Sequence, residues 1–298
     1  MKKFLFPHIF SLIVLLGGCG KDSIIITPPE EENFKIEVIY LDETESVVEF
    51  LNPAKTGLLT SETMHPPSLI MLSYSQFIDN FGNKYDTTFT YALFRDMNSP
   101  PINMGRWRER RGLDIGDIYV ENTKLEKSIR KIRIPPYYHG QMDTSYGIEY
   151  KLKIANFNFK HSAKHRFKIV DKSGSEKTFE LETPDRKELE GLPEYTGKDL
   201  KFKLKSRADS LNIIVSAPSY QENESNLKPI MILKLKNLST QKIKIDSSII
   251  NLIPNEYRQN YLIFSIVQER KRNINIPGFP ENITSFTSSI LYFKVKFR

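Results

Sequence analysis

Cysteine is almost missing from this chain: Cys19 is the only one in 298 residues. A lone cysteine closes no disulfide within the chain, so stability has to come from packed cores and sheets. Tryptophan also occurs once, at Trp107, and histidine five times. That leaves little for a stacked-indole polysaccharide platform and few imidazoles for a metal. No apolar stretch reaches the ~20 residues of a spanning helix; the run from Phe4 to Leu16 has the length of a secretory h-region. Absent too are a Gly-x-Ser-x-Gly elbow, a His-Glu-x-x-His pair and a glycine-rich phosphate loop. These absences remove the common enzyme classes. The expectation is a chain that is not an enzyme, with no catalytic residue, cofactor or metal site.

What is present begins at the N-terminus. Lys2 and Lys3 lead into the apolar run, and Gly17 and Gly18 follow it, the plan of a signal peptide over residues 1–18. Leu16-Gly17-Gly18-Cys19 resembles the lipobox of bacterial lipoproteins. The resemblance implies cleavage before Cys19 and lipidation of Cys19, which would fix the mature chain to a membrane. Residues 19–33 hold Pro28-Pro29 and Glu30-Glu31-Glu32 and read as a flexible tether. Lys21-Asp22 with that acidic cluster is similar to the export signals of surface lipoproteins in Bacteroidota-type bacteria, implying the outer membrane and its outer face, with the periplasmic face as the alternative. Three triplets, Asp22-Ser23-Ile24, Asp86-Thr87-Thr88 and Asp209-Ser210-Leu211, resemble the O-glycosylation sites of the same bacteria and would place sugars on Ser23, Thr87 and Ser210.

From Phe34 onward the apolar period is two, and no segment has a long helical period. Strands are expected at Ser46–Leu51, Ser68–Gln76, Thr87–Arg95, Ile102–Arg111, Ser128–Ile134, Tyr146–Ile154, Arg166–Val170 and Lys177–Glu182. Ser173-Gly174 between two alternating runs predicts a hairpin over Phe167–Leu181. The stretch Asp143–Ile154, with Tyr146 and Tyr150, is similar to strand F of immunoglobulin-like sandwiches, where a tyrosine pins the preceding corner. After Thr183-Pro184 the charged segment with Gly191, Pro193 and Gly197 reads as a linker. Beyond it Lys201–Lys205, Leu211–Ser216, Tyr261–Gln268 and Ile290–Phe297 are strands, and Pro229–Ile245 reads as two strands flanking Asn237–Gln241, a hairpin. The expected fold is all-β: two β-sandwiches, immunoglobulin-like or of a related Greek-key kind, over residues 34–184 and 197–298, joined by the linker 185–196.

The net charge of +7 is unevenly spread. Residues 197–298 hold 17 basic and 8 acidic residues, whereas residues 19–196 hold 24 and 28. A basic second half predicts an anionic partner: lipid headgroups, lipopolysaccharide, an acidic glycan or an acidic protein face, and not nucleic acid, which an exported protein seldom meets. Strand alternation puts the lysines of each run on one side, so several runs in one sheet would make a basic surface. A second candidate is the arginine-rich stretch around Trp107, with Arg106, Arg108 and Arg110 on one face and Trp107, Glu109 and Arg111 on the other: a ligand platform, or a buried tryptophan under a charged rim. His161 and His165 have a metal-binding spacing only if helical, and the sequence there predicts a solvated loop. Asp114 and Asp117 are the nearest thing to a carboxylate pair for hydrolysis. The functional expectation is an envelope lipoprotein with a binding or structural role. The alternatives are a fimbrial subunit donating Ile290–Phe297 to a neighbour's sheet and, third, a surface hydrolase.

Overall fold

A computed structural model describes residues 23–26, 34–40, 66–103, 108–132, 144–154, 157–221, 224–258, 261–276, 279 and 282–297. Cys19, the segments expected as a signal peptide and, for the most part, as a tether, the expected strand Ser46–Leu51, His65, Arg106, Trp107 and His139 lie outside these residues. In chain order the elements are β1 (Ser23–Ile26), β2 (Lys35–Tyr40), β3 (Ser68–Ile78), β4 (Lys84–Phe94), β5 (Ile102–Asn103), β6 (Arg108–Glu109), β7 (Asp117–Val120), β8 (Thr123–Lys124), β9 (Glu126–Ile132) and β10 (Thr144–Ile154). They continue with β11 (Lys164–Val170), β12 (Glu176–Glu182), β13 (Glu194–Tyr195), β14 (Leu200–Lys203), β15 (Ser210–Gln221), β16 (Glu224–Lys236), β17 (Lys242–Ile245), the one-turn helix α1 (Ser247–Ile250), β18 (Tyr261–Ile274) and β19 (Ile283–Lys296). The all-β, sandwich-type expectation holds.

The organising element is a ten-stranded sheet in the order β1-β2-β16-β15-β18-β19-β3-β4-β10-β9. Two small sheets, β13-β14-β17 and β12-β11-β7-β8, complete the sandwiches. One core joins Ile36, Val38, Leu211, Ile213, Leu233, Phe264 and Phe293 of the large sheet to Leu200, Phe202, Ile243 and Ile245 of β14 and β17. Another joins Ile70, Leu72, Ala92, Phe94 and Tyr150 to Ile118, Val120, Phe167 and Ile169 of β7 and β11. A third cluster, with Leu69, Met71, Phe89, Tyr91, Leu93, Ile214 and Phe286, uses the alternate positions of the same strands and hence the opposite face. Central strands are thus covered on both sides, which is why nearly every position of β3 and β19 is buried, their serines and threonines included.

The division expected at residues 185–196 does not separate two sheets. β2, counted with the first half, pairs with β16 of the second, Lys35 opposite Lys236 and Tyr40 opposite Met231. β19 pairs antiparallel with β18 at 14 positions and parallel with β3 at 11. Periodicity shows which side chains face inward but carries no information on which strand lies alongside. Within the segment expected as a tether, Ser23–Ile26 pairs with β2 as an edge strand, Ser23 opposite Ile39, because a β-branched Ile run suits an extended edge. The Phe167–Leu181 hairpin forms as predicted, with Gly174 at φ 85°. The hairpin expected over Pro229–Ile245 does not form. Its two strands exist, but β16 lies in the large sheet and β17 pairs with β14. Asn237, at φ 60°, redirects the chain between them, and buried Leu238 donates its N–H to Asp209 O at 3.0 Å.

At Gly112 the chain crosses the large sheet. Gly112 N–H donates to Tyr146 O and Ile148 N–H to Gly112 O, both at 3.0 Å, while Leu113 N–H donates to Phe94 O at 2.7 Å. The segment is wedged between the end of β4 and the bulge of β10. A Cβ on Gly112 would stand 2.1 Å from Ile148 O, so only glycine passes. Before the crossing Glu109 lies on the face of Tyr91 and Leu93; after it, Ile118 and Val120 join the opposite core.

Candidate functional site

The outer face of the three-stranded sheet carries the expected lysine rows. β14 reads Leu-Lys-Phe-Lys and β17 reads Lys-Ile-Lys-Ile, with buried Leu200, Phe202, Ile243 and Ile245 facing inward. The intervening lysines therefore face out, and the register sets Lys201 opposite Lys244 and Lys203 opposite Lys242. Opposed strand residues have Cβ atoms about 5 Å apart, and like charges at that separation repel. Acids relieve half of the cluster. Lys203 Nζ lies 2.8 Å from Glu190 Oε2, and Lys244 Nζ 2.6 Å from Asp246 Oδ1 and 3.6 Å from Asp199 Oδ2. Lys201 and Lys242 are exposed and make no ion pair among the described residues, although Glu194 stands opposite Lys201.

Much of the remaining charge asymmetry is compensated within the molecule. Acids of the first half pair with bases of the second: Glu37 with Lys236 at 2.6 Å, Glu182 with Arg270 and Arg272 at 2.6 and 2.7 Å, and Glu188 with Lys205 at 2.7 Å. Hydrogen bonding to Lys236 holds the Glu37 carboxyl below its ordinary range, and hydrogen bonding to Lys205 does the same for Glu188. The basic half meets an anionic partner in its own chain, which a count of charges by segment cannot reveal.

Of the arginine-rich stretch expected as a platform, Arg106 and Trp107 lie outside the described residues, and the described part is built around a buried carboxylate. Glu109 is buried, with Oε1 accepting from Arg95 Nε at 2.7 Å and Oε2 from Arg130 at 2.9 Å. Arg110 N–H adds a bond to Oε1 at 2.9 Å, and the Arg110 guanidinium donates to the carbonyls of Met97 and Ser99, both at 2.6 Å. Arg110 is therefore a brace for the 97–99 turn and does not extend from a free face, while Arg108 is exposed. Nearby, Tyr91 OH donates to Glu149 Oε2 at 3.2 Å. No local pattern in the sequence reveals this network, because Arg95, Arg130 and Glu149 come from three separate stretches of the chain; Arg95, directly after the apolar run of β4, is its one local sign.

The other candidates resolve as structural parts. His165 is buried, not solvated: Nε2 lies 3.1 Å from both the N and the O of Lys160, and Nδ1 lies 3.1 Å from Glu121 Oε1. His161 packs edge-on against Tyr74, ring centroids 4.6 Å apart, and burial together with Arg186 pushes it down to about 4. Asp114 and Asp117 both clasp Lys127, at 3.0 and 3.3 Å. Partial burial opposes ionisation of Asp114, yet bonds from Lys127, Gly116 N–H and Tyr150 OH hold it at about 2. Tyr150 also accepts from Ile115 N–H at 2.8 Å. A tyrosine does pin a corner here, but a corner some 35 residues upstream in sequence. Of the glycosylation triplets, Ser210 is exposed at the start of β15, Thr87 is half-buried within β4, and Ser23 lies in β1. Among the described residues no three of His, Cys, Asp and Glu converge as a metal would require. Comparison with protein-family models and with curated protein sequences finds no match.

Proposed function

We propose that the chain is a lipid-anchored cell-envelope protein with a non-enzymatic binding role, held at the outer membrane through Cys19, whose three-stranded sheet contacts a saccharide with closely spaced anionic groups, as in lipopolysaccharide or an acidic glycan. The observation that carries this reading is the opposed lysines of β14 and β17, Lys201 with Lys244 and Lys203 with Lys242, with Lys201 and Lys242 lacking ion pairs among the described residues. An anion seated across them would turn a repulsive register into a favourable one. The fimbrial alternative has less support: β19 contains Ile290–Lys296 of the segment to be donated, paired with β18 through Lys296 and with β3 through Phe293.

Binding of the purified protein to lipopolysaccharide and to soluble acidic glycan at low salt tests the proposal. Lys201→Gln with Lys242→Gln should weaken binding several-fold and flatten its salt dependence. Equal binding by the double variant would remove the surface from consideration. The anchor is tested separately: Cys19→Ala should release the protein from membranes.

A further inference from the structure

The β3–β4 hairpin ends in a feature that the lysine face does not explain. Its turn, Asp79-Asn80-Phe81-Gly82-Asn83, is locked from within. Asp79 Oδ1 accepts from Phe81 N–H at 2.8 Å and Asn83 N–H at 2.9 Å, and Oδ2 accepts from Asn83 Nδ2 at 2.8 Å. Asp79 N–H donates to Asn83 O at 3.0 Å, and Gly82 adopts φ 86° to close the loop. This backbone holds Phe81 out in water at 88% exposure, with Tyr85 at 58% and Leu192 at 49%. A flexible loop could fold such a ring back onto apolar neighbours; a turn closed by these bonds cannot.

Cations surround the tip. A cleft of about 320 Å³ runs beside the hairpin, lined among others by Asp79, Leu192, Tyr195, Lys294 and Lys296. Lys294 Nζ sits 3.5 Å above the Tyr261 ring centroid. Lys84, Lys294 and Lys296 make no ion pair among the described residues, while the Asp79 carboxylate is consumed by its own turn; Glu188 lies near enough to Lys84 to feel its charge without an ion pair between them. A rigid exposed aromatic ring beside unpaired lysines is the chemistry of an interfacial anchor: the ring enters the boundary between headgroups and acyl chains, and the ammonium groups meet lipid phosphates. We infer that this end of the sheet docks on an anionic bilayer, with Phe81 inserted and Lys84, Lys294 and Lys296 on the headgroups. The inference goes beyond the saccharide-binding reading and does not require Cys19 to be acylated.

The test uses residues 19–298 with Cys19→Ala, which retain every described strand but carry neither leader nor acyl chain. They should sediment with vesicles of equimolar phosphatidylcholine and phosphatidylglycerol, not with phosphatidylcholine alone, and salt should release them. Phe81→Ser touches no core and should lower vesicle affinity about tenfold with unchanged thermal unfolding. Lys294→Gln with Lys296→Gln should lower it as well. Phe81→Trp should show blue-shifted emission on the mixed vesicles. Absence of vesicle binding, or binding indifferent to Phe81, would overturn the inference. Phe81-dependent capture of polyglutamate without vesicle binding would overturn it in favour of an acidic peptide. Phe81→Ser should leave soluble glycan binding intact and Lys201→Gln with Lys242→Gln should leave vesicle binding intact, so the two readings fail separately.

Discussion

Glu109 is a buried carboxylate whose desolvation is offset by two guanidinium groups and a backbone amide. Such groups matter most when one partner is removed, because the others remain buried without compensation. Glu109→Ala leaves Arg95 and Arg130 facing each other in a water-poor site, so a loss of about 3–5 kcal/mol is expected from urea unfolding. Glu109→Gln preserves the shape and should cost less; equal losses for the two variants would show that packing, and not charge, holds the site. His161 supplies a second residue-scale expectation. Its folded-state value is depressed to about 4 from an ordinary 6.5, so the unfolded chain binds the proton more readily. The stability it confers is fully present above about pH 6.5 and falls as pH drops toward 4. Asp114, held at about 2 against an ordinary 3.8, withdraws its share only below that, between about pH 4 and 2. His161→Gln should therefore flatten the upper part of the acid limb in a stability-against-pH curve and leave the lower part in place.

At the scale of elements, what the sequence discloses is bounded by locality. The Phe167–Leu181 hairpin was legible because its turn chemistry and both strands fall within fifteen residues. The lysine rows of β14 and β17 were legible for the same reason, since alternation assigns a face to each side chain. Their meeting in one sheet was not, because Lys201 and Lys244 are joined by a register that no local pattern encodes. The polar connection Asn237–Gln241 looks like a hairpin loop and instead carries the chain between sheets. Phe81 leaves no mark in the pattern, because an apolar residue in a turn is invisible to periodicity. Nor does anything in Arg-Arg-Gly-Leu announce the passage of Gly112 through a sheet. That passage makes a sharp prediction. Gly112→Ala drives a methyl group into the Ile148 carbonyl, which is backbone and cannot rotate aside, so a destabilisation of about 3 kcal/mol is expected. Gly174→Ala, with nothing within 4 Å of the added carbon, strains only its own φ and should cost about 1 kcal/mol, the matched control.

For the whole molecule, the shared sheet decides whether the chain has two stability units or one. A length of 298 residues and a charged linker suggest two domains able to unfold independently. Against that stand the strand pairings and the charges. β2 belongs to the first half by sequence and to the second by pairing, and β19 joins β18 to β3 from Ile283 to Phe293. The ion pairs of Glu37, Glu182 and Glu188 cross the same division. Cutting the chain at residue 190 would strip β3 of one edge partner and leave β2 without β16. Each fragment would then expose a long apolar strand edge, the configuration that favours aggregation over folding. The expectation is a single transition in calorimetry, with calorimetric and van't Hoff enthalpies equal. Residues 34–184 and 197–298 made separately should lack dispersed amide spectra, and removal of residues 288–298 should unfold both sandwiches together. Two resolved transitions, or a folded isolated half, would mean that the β19–β3 pairing is a weak seam and that the linker is a true domain boundary.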